Sequence, residues 1–124
     1  MHKWMALIAG GVCGTTGRYA LSSFVSRCLG SQFPYGTFVV NMLGCLSVGF
    51  LATLADKKFS LNPEFRFFWI TGLLGAFTTF SALIFESSRL LENGQVGAAL
   101  INMLGSLVVG LAAWWIGASV AALI

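Results

Sequence analysis

Charged residues are scarce in this chain of 124 residues, of which aspartate, glutamate, lysine and arginine together make up only 9%. A soluble domain carries about 25% of such residues, so the composition excludes a surface built mainly for water. Hydrophobic residues make up 57% of the chain, and the mean hydropathy is +0.87. The sequence therefore predicts an integral membrane protein. It also lacks the period-two alternation of strand barrels, so the spans are expected to be helical.

The residues that most often carry catalysis or hold metals are also few. The single histidine, His2, is terminal, and no nucleophile–base set accompanies it, so no enzyme is predicted. Cys13, Cys28 and Cys45 do not have metal-ligand spacing, and they are expected to pack as small, slightly polar side chains. The net charge of +3 is spread over several connections. It does not form a patch for nucleic acid.

Several apolar segments reach the length of about 20 residues that a bilayer-spanning helix needs. We predict spans over Trp4–Phe24, Gly36–Ala55, Phe67–Phe85 and Gly97–Ala122. The predicted connections are Val25–Tyr35, Asp56–Arg66 and Glu86–Val96. These connections leave no room for a second domain, so residues 1–124 are expected to form a single four-helix transmembrane domain. One thin bundle leaves little protein around an internal path, which favours an oligomer.

Basic residues, whose distribution sets the orientation of a membrane protein, divide almost evenly between the two sides. The N-terminal side carries Lys3, Lys57, Lys58 and Arg66. The opposite side carries Arg18, Arg27 and Arg89. This balance allows insertion in both orientations.

Two segments repeat one another, 41-NMLGCLSVGF-50 and 102-NMLGSLVVGL-111. Close helix packing in lipid explains their glycines, but not their asparagines, because an amide is costly in hydrocarbon without partners. At helical spacing the polar and small residues form two stripes, Thr37, Asn41, Gly44 and Val48 on the second helix and Asn102, Ser106 and Gly110 on the fourth. Such stripes indicate either a lined path or a polar seam between helices, and the spacing leaves both open.

The third span contains residues that form helices poorly. Gly72, Gly75, Thr78 and Thr79 mark a place where the helix can unwind. Non-helical backbone at membrane depth is tolerated only where protein or a water-filled cavity surrounds it. Freed carbonyls there can coordinate a cation, and the hydroxyl of Ser81 adds a polar group. The alternative is a close crossing at the glycines, with threonine hydroxyls bonded back to the preceding turn.

Three further residues in or beside the spans are unusual. Phe80 directly follows the expected break, and the positive edge of its ring can face a small anion. Arg18 must snorkel, pair with an acid or face water. Snorkelling or pairing explains the presence of an arginine in this span as well as an anion-attracting vestibule does. Glu86 borders the third span, and its simplest interpretation is an interface anchor that faces Arg18 or Arg89.

Together these motifs resemble the Fluc family of fluoride channels along the whole chain. The matching residues are Gly10, Gly11, Gly14 and Arg18, then Gly36, Thr37, Val39 and Asn41, then Gly72 to Ser81, and finally Asn102, Gly105 and Ser106. The resemblance implies an antiparallel, dual-topology dimer of four-helix subunits with two narrow pores between them. It also implies a passive, fluoride-selective channel that exports fluoride across a prokaryotic inner membrane.

The resemblance further implies roles for individual residues. It assigns Arg18 and Glu86 to charges at the vestibule and at the end of the anion track. It assigns the backbone carbonyls of Gly75 and Thr78 to a structural sodium ion at the dimer centre. The pore and anion-binding positions it implies are Thr37, Asn41, Phe80, Ser81 and Ser106. Neutral donors suit such a pore, because conduction requires binding that is favourable but weak.

The chain departs from the family at one place. Members usually read T-T-F-S-T-F-S, whereas this chain reads 78-TTFSALI-84, so Leu83 replaces a second phenylalanine. Gly110 also stands where a hydroxyl residue is common. A homodimer of this chain could therefore conduct weakly or not at all, or the chain could pair with a homologous subunit that supplies the ring. A proton-coupled exporter of the small multidrug resistance kind is a further alternative, but its first helix carries a glutamate where this chain has Arg18.

Overall fold

The computed structural model describes residues 2–57 and 63–124, and every regular element in these ranges is helical. The long helices are α1 (His2–Leu29), α2 (Tyr35–Lys57), α5 (Phe80–Glu92) and α6 (Val96–Leu123). Between α2 and α5 lie the short α3 (Pro63–Phe65), a π-helix (Arg66–Leu74) and the short α4 (Gly75–Phe77). Residues 58–62 of the predicted connection Asp56–Arg66, which include Lys58, lie outside the described residues.

Three helical stretches of the described chain are long and apolar enough to cross a membrane: Tyr35–Asp56, Pro63–Glu92 and Val96–Leu123. Helix α1 has 28 residues, but its glycines, threonines and Arg18 make it less apolar than the other three. The chain is thus a multi-pass membrane protein, as its composition predicts.

Helices α1 and α5 extend well beyond the C-terminal ends of the predicted spans. Helix α1 continues to Leu29 and α5 continues to Glu92, so the predicted connections after Phe24 and Phe85 are partly helical. Both helices are followed by a glycine in the left-handed region, Gly30 with φ 85° and Gly94 with φ 74°. Glycine adopts this conformation without steric penalty and commonly terminates helices, which explains why the helices end there rather than where the apolar residues stop.

The π-helix packs closely against α1 through glycine. A methyl group at Gly10 would overlap the carbonyl oxygen of Phe68, and a methyl group at Gly14 would overlap that of Leu73. Small residues at this four-residue spacing let two helix backbones approach in lipid. This contact brings the middle of α1 beside the segment that leads to the break.

Helices α2 and α6 carry the two repeated segments and share a large interface. A methyl group at Gly49 would overlap the backbone of Trp114, and one at Gly117 would overlap the carbonyl oxygen of Leu46. Since a single span, Pro63–Glu92, separates α2 from α6 along the chain, the two helices run in the same direction. Both repeated asparagines reach α5, Asn41 at Thr79 and Asn102 about two turns further along at Ser87.

Candidate ion pathway at the helix break

The third span is interrupted at two residues. Thr78 has φ −82° and ψ 155°, and Thr79 has φ −151° and ψ 116°, so both are extended. The amide of Thr78 still donates to the carbonyl oxygen of Leu74 at 3.0 Å. The Thr78 hydroxyl donates to the same oxygen at 3.1 Å. The helix thus breaks where the glycines and threonines predict, while the Thr78 hydroxyl is bonded back to the preceding turn, as in the alternative interpretation.

Thr79 restarts the helix on the other side of the break. Its hydroxyl oxygen accepts a hydrogen bond from the amide of Ala82 at 3.2 Å and lies 3.2 Å from the hydroxyl oxygen of Ser81. This is the N-cap position, where a threonine oxygen satisfies an amide that has no partner within the helix. The positive end of the α5 dipole therefore points at the break.

Asn41 replaces the backbone partners that Thr79 loses at the break. The Thr79 amide donates to Asn41 Oδ1 at 2.8 Å, and Asn41 Nδ2 donates to the Thr79 carbonyl oxygen at 3.1 Å. Asn41 is only 9% exposed, and unpaired backbone groups at membrane depth are costly. The asparagine amide thus completes the backbone hydrogen bonding of Thr79. One of its two N–H groups is left for another acceptor.

Other polar residues of the two stripes also bond to α5. The Thr37 hydroxyl donates to Glu86 Oε1 at 2.6 Å. Asn102 Nδ2 donates to the Ser87 hydroxyl at 3.0 Å, and both of these residues are 1% exposed. The stripes therefore form a polar seam between helices at Thr37, Asn41 and Asn102. Ser87 belongs to this seam, although nothing in the sequence analysis singled it out.

Some atoms of the seam have no hydrogen-bond partner within the described chain. They are Glu86 Oε2, Asn102 Oδ1 and Ser106 Oγ, and all three are buried. Buried polar groups are nearly always paired with protein or water, so an unpaired group needs a reason. These atoms leave room for a ligand or a water molecule beside the seam.

Within the described residues Glu86 forms no ion pair with Arg18 or Arg89, although Glu86 and Arg89 line one cavity. Glu86 lies inside α5 and accepts from Thr37. The guanidinium of Arg89 lies 5.9 Å from the centre of the Phe85 ring. An ion pair does form between Arg66 and Asp56 at 2.5 Å, near the opposite end of the bundle. The reason is that α5 continues past Phe85 as a helix, which turns the Glu86 side chain towards α2.

A polar cleft of about 710 Å³ lies on one side of the break. Its lining includes Arg18, Thr37, Thr79 and Ser81, together with the hydroxyl groups of several residues of α1. No acidic side chain lines it, and Arg18 forms no ion pair with the parts of the chain that the structure describes. The guanidinium therefore gives this cleft a positive charge among neutral hydroxyls.

A mainly apolar groove of about 510 Å³ lies on the other side of the break. Asn41, Phe80, Leu83 and Ser106 line it, and Thr79 lines both the groove and the polar cleft. Phe80 is 75% exposed, whereas Leu83 is 9% exposed. The five predicted pore and anion-binding residues are thus brought to one region, but they divide between two cavities that meet at Thr79.

The two residues expected to bind sodium lie at the carboxyl end of the first half-helix. The last carbonyls of a helix have no partner within it and form the negative end of its dipole. Gly75 and Thr78 are placed in this way, and the Gly75 backbone is exposed. No cluster of histidine, cysteine, aspartate or glutamate that could hold a metal occurs in the described ranges. Oxygen atoms of the backbone fit a hard cation such as sodium.

Comparison with known proteins agrees with the sequence motifs. The model of a family described as CrcB-like protein, Camphor Resistance (CrcB), matches residues 5–118. A protein of Maridesulfovibrio salexigens named fluoride-specific ion channel FluC is 42% identical over 90% of this chain and 89% of its own length. Proteins with the same name from Nitratidesulfovibrio vulgaris and Methylobacillus flagellatus are each 44% identical over 94% of this chain, and over 94% and 92% of their own lengths. The resemblance is therefore confirmed, and the chain belongs to the CrcB-like (Fluc) family.

Proposed function

We propose that this chain is a subunit of a passive, fluoride-selective channel in the inner membrane and that it is not an enzyme. The observation that carries the proposal is the position of Thr79, which lines both the polar cleft and the groove. Relatives covering most of the chain are named fluoride-specific ion channels, which supports fluoride as the ion. The break would then be the point where the anion passes from one cavity to the other.

Electrostatics favours an anion at this point. Arg18 supplies a positive charge in a cleft without an acidic lining, and the N-terminal end of α5 adds a partial positive charge at Thr79 and Ser81. Hydroxyl and amide donors can replace part of the hydration shell of a small anion. Because none of them is a fixed cation, the anion can be released again, which conduction requires.

The groove is open at the surface of a single subunit, which supports a second copy as its missing wall. Phe80 is 75% exposed there, and the backbone of Gly75 is exposed as well. We propose an antiparallel, dual-topology dimer. In each subunit α1 would also cross the membrane, in addition to the three apolar stretches. At about 1.5 Å per residue, the 28 residues of α1 are long enough to cross the hydrocarbon core. The carbonyls of Gly75 and Thr78 from both subunits would hold a sodium ion that joins the two breaks.

A flux measurement in liposomes tests the proposal. Purified protein is reconstituted in vesicles loaded with fluoride or with chloride, and release is followed with ion-selective electrodes. We expect fluoride release and no chloride release, with protein-free vesicles as the control. Absence of fluoride release, both for this chain alone and for this chain co-expressed with a homologue, would overturn the channel assignment.

The environment of Leu83 favours a second candidate, a weakly conducting or non-conducting subunit that pairs with a homologue. Leu83 is 9% exposed and lines the groove beside Phe80, so α5 presents one aromatic ring to the groove where the family usually has two. If the missing ring is the defect, Leu83→Phe should raise fluoride release by the homodimer. Leu91→Phe, at an exposed position of the same helix, is the matched control. No rise in Leu83→Phe would favour a different pairing or a different pore.

A further inference from the structure

Cys45 occupies the place on α2 that Ser106 occupies on α6. The repeat aligns 41-NMLGC-45 with 102-NMLGS-106, so each residue lies four positions after an asparagine. Residues four apart share one face of a helix. Both Cys45 and Ser106 line the groove that also contains Asn41 and Phe80. The groove therefore receives equivalent side chains from two helices.

The Cys45 sulfur also lies beside the position on α6 where a polar side chain is missing. Gly110 is one turn beyond Ser106, and a methyl group at Gly110 would lie 3.4 Å from Cys45 Sγ. Glycine offers no side chain at this position, and the α6 residues that line the groove one turn to either side are the apolar or aromatic Leu107 and Trp114. The thiol from α2 is thus the polar group nearest to the place that a hydroxyl on residue 110 would use.

Ser106 is an independent indication that the groove holds a ligand. It is 7% exposed, and its hydroxyl has no hydrogen-bond partner within residues 2–57 and 63–124. A buried hydroxyl without a partner has a donor available for a ligand in the cavity that it lines. A thiol is a weaker donor than a hydroxyl, but it offers the same kind of contact.

We propose that the Cys45 thiol and the Ser106 hydroxyl donate together to the anion in the groove, and that Cys45 takes the place of the hydroxyl that α6 lacks at Gly110. This assignment rests on the proposed channel function. The thiol lies at the level of Gly110, one turn or about 5.4 Å beyond Ser106, so an anion between these two levels would meet both donors.

Substitutions at Cys45 test the assignment in a background in which Cys13 and Cys28, both exposed on α1, are replaced by serine. Cys45→Val keeps the volume but removes the donor, and it should lower fluoride release about tenfold, as expected for the loss of one hydrogen bond to a charged group. Cys45→Ser should keep or raise release. In the unmodified chain, Cys13→Val makes the same change outside the groove and should leave release unchanged. Parent-like release from a correctly assembled Cys45→Val dimer would refute the role.

Thiol modification gives a readout that does not depend on flux. Methyl methanethiosulfonate forms a methyl disulfide with Cys45 and releases methanesulfinate, and the product is measured by mass spectrometry. Fluoride should slow this reaction relative to chloride, and Ser106→Ala should remove the protection. If the background protein, with Cys45 intact, releases fluoride but fluoride does not protect Cys45, the thiol assignment fails while the channel function stands. If the parent releases no fluoride, protection alone decides whether the groove binds the anion.

Discussion

Removal of the Asn41 side chain should destabilise the protein more than removal of the equivalent asparagine on α6. Asn41 forms hydrogen bonds with both the amide and the carbonyl of Thr79. An unpaired buried backbone group costs about 1–3 kcal/mol, and Asn41→Ala leaves two such groups. We expect the lower part of their sum, because the groove admits some water. Asn41→Ala should therefore lower the free energy of unfolding by about 2–4 kcal/mol. Thr79 itself is half-buried, which agrees with the lower part of this range.

Asn102→Ala is the matched control. Asn102 donates one hydrogen bond to the Ser87 hydroxyl, and its Oδ1 has no partner among the described residues. Its removal leaves no backbone group unpaired and should cost about 1 kcal/mol. Thermal unfolding in detergent compares the two variants, and hydrogen exchange of the peptide around Thr79 reports the local effect. Equal destabilisation, or unchanged protection of the Thr79 amide in Asn41→Ala, would refute the role of Asn41 in supporting the break.

Asn41→Asp separates the backbone role from the anion role. The carboxylate keeps an acceptor for the Thr79 amide, but it places a second oxygen against the Thr79 carbonyl and a negative charge in the groove. We therefore expect an assembled dimer that no longer releases fluoride. Size-exclusion chromatography reports assembly and the liposome assay reports release. Unchanged release would show that the anion does not pass Asn41.

Three further variants test other contacts. Thr37→Val removes the hydrogen bond to Glu86 and should lower the melting temperature in detergent, by an amount corresponding to about 1–3 kcal/mol; an unchanged melt would contradict a structural role for this bond. Gly10→Ala, whose methyl would meet the π-helix backbone, should impair folding, whereas Gly11→Ala, with nothing within 4 Å, should not, and similar yields of folded protein would contradict the packing. Arg18→Gln should reduce fluoride release at low ionic strength and much less in high salt, because screening weakens attraction between exposed charges; a reduction independent of salt would argue against a steering role.

The position of the break was predictable, but its hydrogen bonding was not. Glycines and β-branched threonines near the middle of an apolar segment lower helix propensity locally, which is a property of neighbouring residues. The cost of an amide in hydrocarbon likewise predicts that Asn41 must have a partner. That the partner is the backbone of Thr79, 38 residues away, depends on how α2 packs against the break. Spacing within one helix carries no information about that contact.

The helix ends and the π-helix show the same difference between features that the local sequence predicts and features that depend on tertiary contacts. Hydropathy indicates where apolar residues stop, but a helix rich in serine continues beyond that point until a glycine ends it, as at Gly30 and Gly94. This is why Glu86 was expected in a connection and is found inside α5. The π-helix at Arg66–Leu74 has no local sequence signature comparable to a glycine end. Its backbone is packed against Gly10 and Gly14 of α1, so its conformation depends on tertiary contacts.

The shared use of polar groups bears on how tightly an anion can be held in the proposed channel. The Thr37 hydroxyl already donates to Glu86, the Thr78 hydroxyl donates to Leu74, and Asn41 uses one of its two N–H groups on Thr79. An anion at these positions must compete with a protein acceptor or use the remaining amide hydrogen, so each contact is weaker than it would be with a free donor. Among the hydroxyls of the seam, that of Ser106 is without such a partner in the described chain. Weak, repeated binding is what rapid conduction requires, and the hydrogen bonds that support the helix break therefore also limit the affinity of the path.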